Sequence, residues 1–261
     1  MAATFHSGST HGLRLPLAAP LLTGACAALC AWEARAARSG PRPYERAHSA
    51  DAVLGPPGAP VRVTWLGDSL AAGLGVDDVA DTPAHVVAHL LGRPVEVRML
   101  AVPGARTVHV LADQLPRLAR DTDLVILSVG ANDVACSGSR LAFAQRVHAI
   151  LAALAPINTV VLSIPDMATP DRMAEPLRSI VGARARWFDA ARARVAATHP
   201  HVRSVDVATP PPGMTRREAR AHLSADRFHP GVQAYRVWAE RITATAELLL
   251  PPPADRRPVA A

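Results

Sequence analysis

Five short apolar runs separated by stretches of helical spacing occupy the sequence between Val61 and Leu250. They are Val61–Leu66, Val95–Leu100, Leu124–Val129, Thr159–Ile164 and Val202–Val207. Leu124–Val129 is apolar nearly from end to end, as a strand buried on both faces of a parallel sheet must be. Between the runs, Thr82-Pro83 reads as an N-cap and first helical position, followed by Val86, Val87, Leu90 and Leu91 at helical spacing. Thr107–Leu118, Arg140–Leu154 and Leu177–Thr198 also read as helices. Val232–Leu250 carries Tyr235, Trp238, Ile242 and Leu248 near one face. Such alternation predicts an α/β domain, a doubly wound, mostly parallel five-stranded sheet flanked by helices. Ligands of such sheets bind outside the carboxyl ends of the strands, so functional residues are sought there.

The flanks differ in kind. Residues 15–32 (LPLAAPLLTGACAALCAW) carry no charge, and as a helix they would run ~27 Å, just enough to span a bilayer core. Three readings compete: a signal peptide cleaved after Ala34-Arg35-Ala36, an uncleaved anchor, or a helix packed on the domain. Membrane association through residues 15–32, or export, is the expectation. Arg35, Arg38, Arg42 and Arg46 follow the segment and only Arg14 precedes it, which favours a cytoplasmic C-terminal side for an anchor. The expected organisation is a signal peptide or anchor over 1–36, a Pro/Gly-rich linker over 37–60, a folded domain over 61–250 and a flexible tail over 251–261.

Composition narrows the function classes. The chain is 49% hydrophobic and 19% charged, which suits a packed core. Three cysteines exclude a disulfide scaffold and a Cys-rich zinc module. The net charge of +6 raises nucleic acid as a partner, but all 28 basic residues are arginines scattered along the chain. No basic stripe interleaved with aromatics is present, so nucleic-acid binding is not expected.

Four polar groups fall at strand ends or beside the last helix. The first strand ends in Gly67-Asp68-Ser69, a turn that can expose the Ser69 hydroxyl at the sheet's carboxyl edge. An ordinary turn is the plainer reading. After the second strand, a glycine at 104 lets a backbone N–H approach a ligand closely. The third strand ends in Gly130-Ala131-Asn132-Asp133, where Asn132 can donate to a developing oxyanion or simply cap a helix. Near the end, Asp226-Arg227-Phe228-His229 can set a carboxylate against one imidazole nitrogen and leave the other free as a base.

Taken in this order, the four blocks resemble the SGNH (GDSL-type) serine hydrolase/esterase family. Gly67-Asp68-Ser69, Gly104, Gly130-x-Asn132-Asp133 and Asp226-x-x-His229 look like its four motifs. One position departs: where members often carry Asn five residues before the second-block glycine, this chain has Met99. The resemblance implies the SGNH-hydrolase, flavodoxin-like fold. It also implies a carboxylic ester or thioester hydrolase using a Ser69 acyl-enzyme, with His229 as base and Asp226 as orienter. The oxyanion hole would comprise the Ser69 and Gly104 backbone N–H groups and the Asn132 side chain. A small-molecule acyl ester is the implied partner, and neither cofactor nor metal is implied. The alternatives are a non-catalytic envelope binding module, or an acyltransferase on the same scaffold. No Gly-x-Ser-x-Gly elbow closes any of the strands, which argues against the ordinary α/β-hydrolase fold.

Overall fold

The computed structural model describes residues 50–136 and 138–251. The strands are β1 (Ala52–Leu54), β2 (Val61–Gly67), β3 (Val95–Met99), β4 (Leu124–Ser128), β5 (Asn158–Leu162) and β6 (Val202–Val205). They form one sheet in the order β1-β3-β2-β4-β5-β6. All five strands expected from the sequence are present, and each pairs in parallel with its neighbours among them. Counted among the parallel strands, the order is second, first, third, fourth, fifth. The chain therefore reverses its direction of travel across the sheet between β2 and β4. That switch point opens a crevice between the loops leaving the two strands.

The sheet has six strands rather than five. Within the stretch expected as linker, β1 pairs antiparallel with β3, with Leu54 opposite Val95. Nearby, the Met99 N–H donates to the Asp51 side chain at 2.8 Å. Without β1, the outer row of β3 backbone groups would be an open edge, and a three-residue strand is enough to cover it. So short a strand, followed at once by Gly55-Pro56-Pro57-Gly58, leaves no two-residue period to read.

The helices are α1 (Pro83–Leu90), α2 (Thr107–His109), α3 (Ala131–Ala135), α4 (Arg140–Ala153), α5 (Leu177–Ala196), α6 (Arg216–Ala219) and α7 (Val232–Glu247). A π turn over Val110–Gln114 and a 3₁₀ turn over Leu115–Arg117 prolong α2. Alternate strand residues feed opposite faces of the sheet, so two cores form. Val63, Trp65, Ile126 and Val160 pack with Tyr235 and Ile242 of α7 and Val87 of α1. Leu66, Val125, Leu127 and Val161 pack with Phe143 and Ile150 of α4 and Phe188 of α5. The expected signal or anchor segment, its cleavage site and the tail beyond residue 251 lie outside the described residues. Among the described residues, no helix is long and apolar enough to cross a membrane.

Candidate active site

The turn after β2 is built around Gly67. Its φ is +132°, and an added Cβ would lie 1.8 Å from the Ser128 carbonyl oxygen. Only glycine allows β2 to approach β4 this closely and still bend. The Gln114 side chain grips the same residue from both sides. Its Oε1 accepts from the Gly67 N–H and its Nε2 donates to the Gly67 carbonyl, both at 2.8 Å. Asp68 then accepts from the Leu70 N–H at 3.0 Å, closing a tight turn that lifts Ser69 out at the sheet edge.

The segment that follows folds back beneath Ser69. The Leu74 N–H donates to the Ser69 carbonyl at 2.9 Å. On the other side, the Leu74 carbonyl accepts from the fully buried Tyr235 hydroxyl of α7 at 2.6 Å. Tyr235→Phe strands that carbonyl, so a stability loss of about 1–3 kcal/mol is expected by denaturant titration. An unchanged unfolding midpoint would show that water replaces the phenol.

The 224–230 turn brings the imidazole across. His229 Nε2 lies 3.1 Å from Ser69 Oγ, and His229 Nδ1 lies 2.6 Å from Asp226 Oδ2. The other oxygen of Asp226 accepts from Ser224 Oγ at 2.6 Å and from the Phe228 and His229 N–H groups at 2.8 and 2.9 Å. Burial alone would raise the Asp226 pKa. The hydrogen bonds from His229, Ser224 and these backbone groups outweigh it and hold the carboxyl well below its ordinary range.

Gly104 follows β3 with φ +80° and open space where a side chain would point. Its loop is tied to β2 by the Leu100 and Val102 N–H groups, which donate to Trp65 and Gly67 carbonyls at 3.0 Å. These backbone bonds keep order around Gly104 where Met99 supplies no polar side chain. Asn132 opens α3 after β4, and its Nδ2 donates to the Ala105 carbonyl at 3.1 Å and to Asp68 Oδ2 at 3.4 Å. Among the described residues, no protein group accepts from the Ser69 or Gly104 N–H.

Asp133 locks these loops together. Its carboxylate accepts from the Thr107 N–H at 2.9 Å and from Thr107 Oγ1 at 2.6 Å. Arg146 of α4 backs the pair, donating to Thr107 Oγ1 at 2.7 Å and lying 3.4 Å from Asp133. Sequence reading missed Thr107, Gln114, Arg146 and Ser224. Only Gln114 left a trace: a polar residue four positions after Val110 on the buried side of an apolar helical pattern.

Ser69, His229 and Asp226 thus form one hydrogen-bonded set at the β2/β4 crevice, Asn132 lines the same cleft, and Gly104 precedes the Ala105 carbonyl that Asn132 bonds. Ser69 opens onto a cleft of about 290 Å³. One wall is apolar, made by Val207, Pro210, Pro211 and Met214 of the loop after β6 and by Val237 and Trp238 of α7. A hydroxyl within reach of an imidazole that a carboxylate orients can be deprotonated as it attacks a carbonyl.

Residues 65–237 match the model of the GDSL-like lipase/acylhydrolase family. Among solved structures, the lipase/acylhydrolase from Enterococcus faecalis is similar at TM-score 0.57 and 20% identity, covering 74% of this chain and 98% of that one. A member of the lipolytic G-D-S-L family from Veillonella parvula has TM-score 0.57 and 14% identity, covering 70% of this chain and 96% of that one. The salicylyl-acyltransferase SsfX3 from a tetracycline biosynthetic pathway has TM-score 0.55 and 18% identity, covering 74% of this chain and 57% of that one. Among curated proteins, none matches. The fold is therefore the one these three proteins share. With the family pattern running from β2 into α7, the chain belongs to the GDSL-like lipase/acylhydrolase family.

Proposed function

We propose that the protein hydrolyses carboxylic esters or thioesters through a Ser69 acyl-enzyme. One observation carries the reading: Ser69 Oγ, His229 Nε2 and Asp226 form an unbroken hydrogen-bonded line at the mouth of an apolar cleft. Ser69 Oγ attacks the acyl carbon while its proton passes to His229 Nε2. The carbonyl oxygen, now negative, is met by the N–H groups of Ser69, Gly104 and Asn132. Collapse breaks the bond to the alcohol or thiol, which leaves with the proton from His229. Water then attacks the acyl-enzyme, its proton returns through His229 to Ser69 Oγ, and the carboxylic acid departs. Asp226 stays ionised throughout and stabilises the imidazolium. The wall formed by Val207, Met214, Val237 and Trp238 suits an uncharged hydrocarbon acyl group.

The expected result is covalent labelling by a fluorophosphonate, with the added mass on the Ser69 peptide, and turnover of a p-nitrophenyl acyl series. Ser69→Ala should neither label nor turn over. Wild type that labels no more than Ser69→Ala overturns the assignment, and absence of labelling in both favours a non-catalytic binding module. An acyltransferase would use the same acyl-enzyme with an alcohol in place of water, so ester products formed with added alcohols separate the two. Export or membrane attachment through residues 15–32 belongs to the same proposal, and cell fractionation tests it.

A further inference from the structure

Asn132 has a conflict to resolve before it can serve an oxyanion. Its side-chain nitrogen carries two hydrogens, and both have acceptors: the Ala105 carbonyl at 3.1 Å and Asp68 Oδ2 at 3.4 Å. A substrate oxygen must take one of them. The Ala105 bond is the shorter and belongs to the loop that also presents Gly104. The longer contact, to Asp68, is the one that can yield.

Asp68 is an unusual partner. Its residue is 1% exposed. Its carboxylate accepts from the Leu70 N–H at 3.0 Å and from the Asn132 amide at 3.4 Å, and among the described residues no arginine pairs with it. The charged and titratable groups around it come from four elements. From α3, the Asp133 carboxylate opposes a second negative charge. The arginine of α4, Arg146, is engaged with Asp133 and Thr107. From α7, the Tyr235 phenol feels the charges of Asp68 and Asp226. The 224–230 turn supplies His229, in contact with the neighbouring Ser69, and Asp226 behind it. Burial, opposed by the Leu70 N–H and aided by Asp133, pushes the Asp68 carboxyl up to about 7.

We propose that Asp68 is a proton-linked positioning residue for the oxyanion donor: as a carboxylate it holds the second N–H of Asn132, and as the neutral acid it releases that N–H to the substrate oxygen. The proton moves to and from solvent, and no bond to substrate is made. A charged Asp68 opposes turnover twice, by competing for the donor and by setting a negative charge beside the developing oxyanion. The inference rests on the acyl-enzyme reading above and adds to it which protonation state of the site is productive.

The test begins with a readout independent of turnover. In ¹⁵N-labelled full-length protein, the Asn132 side-chain amide resonances, assigned by their loss in Asn132→Ala, should shift with a midpoint near pH 7. The shift should persist in His229→Gln, which removes the neighbouring imidazole, and vanish in Asp68→Asn, which fixes the neutral shape. Should Asp68→Asn fail to fold, Asp133→Asn serves instead: removing the neighbouring charge should lower the midpoint. Resonances that stay flat in wild type, or move equally in Asp68→Asn, overturn the link.

The kinetic counterpart is the ratio of kcat in Asp68→Asn to that in wild type. It should rise about 10-fold from pH 6 to pH 9, the scale of one hydrogen bond to a charged group. In an Asn132→Ala background the competition for the donor is gone, and the rise should shrink. Parallel pH profiles in an enzyme that labels at Ser69 overturn the inference alone. A protein with titrating Asn132 signals that never labels at Ser69 overturns the acyl-enzyme reading instead.

Discussion

Replacing Asp226 with asparagine is expected to lower kcat by about 10⁴ with little change in KM. The asparagine oxygen can keep the three bonds that Asp226 Oδ1 accepts from Ser224, Phe228 and His229. Its Nδ2 then faces His229 Nδ1, now 2.6 Å from a carboxylate oxygen. Two donors cannot share that contact, so Nδ1 becomes the acceptor and Nε2 carries the hydrogen. An Nε2–H cannot take the Ser69 proton. The imidazolium also loses its counter-charge. Stability should follow with a definite sign. The folded pKa of Asp226 is depressed, so its contribution is present above the unfolded carboxyl value of about 4 and is lost as pH falls toward the folded one. The variant should therefore melt below wild type at pH 7 and converge with it in strong acid. Steady-state ester kinetics and melting curves across pH check both halves. A fall in kcat of less than about 10-fold would mean that another group sets the tautomer.

A second large effect is expected at a glycine packed behind the His229 turn. Gly75 has φ +109°, and a Cβ built on it would lie 2.3 Å from the Pro230 carbonyl oxygen and 3.0 Å from His229 Cβ. The obstructing oxygen is backbone, so no rotamer change relieves the clash. Either the 70–76 segment or the 229–230 turn must move. The first is held by Tyr235 through Leu74, and the second by the Ser224 N–H bond to the His229 carbonyl at 2.9 Å. Gly75→Ala should therefore widen the Ser69–His229 gap and lower kcat by about 10², the scale of a 1 Å misplacement. Fluorophosphonate labelling should slow in step. Gly92→Ala is the control. Its φ is +60° and nothing lies within 4 Å of an added Cβ, so it carries backbone strain without the clash. It should cost about 1–2 kcal/mol of stability and leave kcat unchanged. Equal kinetic losses in the two variants would show that strain, and not the approach to His229, is responsible.

The inner strands β2, β4 and β5 were legible because they are buried at nearly every position, and β3 and β6 because their buried valines stand among more exposed polar residues. The site residues were legible because sheet topology brings the ends of β2, β3 and β4 to one crevice, and the motifs stand at those ends. What escaped the sequence is whatever depends on pairing across long separations. Gln114 holds Gly67 from 47 residues away, and Thr107 holds Asp133 from 26. No local period encodes such a meeting. The contact of Gly75 with the His229 turn escaped for the same reason, since a glycine in a loop looks like any other. The edge strand β1 escaped because its pairing is decided by β3 and not by its own three residues.

The antiparallel sense of β1 settles which way the molecule faces. Because Ala52 lies opposite Val97 and Asp51 reaches the Met99 N–H, the polypeptide enters the sheet on the rim where the strands finish. It leaves from the other pole, where the Leu249 carbonyl accepts from Asn158 and the Pro251 carbonyl from Arg93. A support joined upstream of residue 50 is thus attached on the side of the cleft mouth, and one joined after residue 251 is attached behind it. Coupling a surface beside residue 50 or beside residue 251 should turn the mouth of the Ser69 cleft toward that surface or away from it.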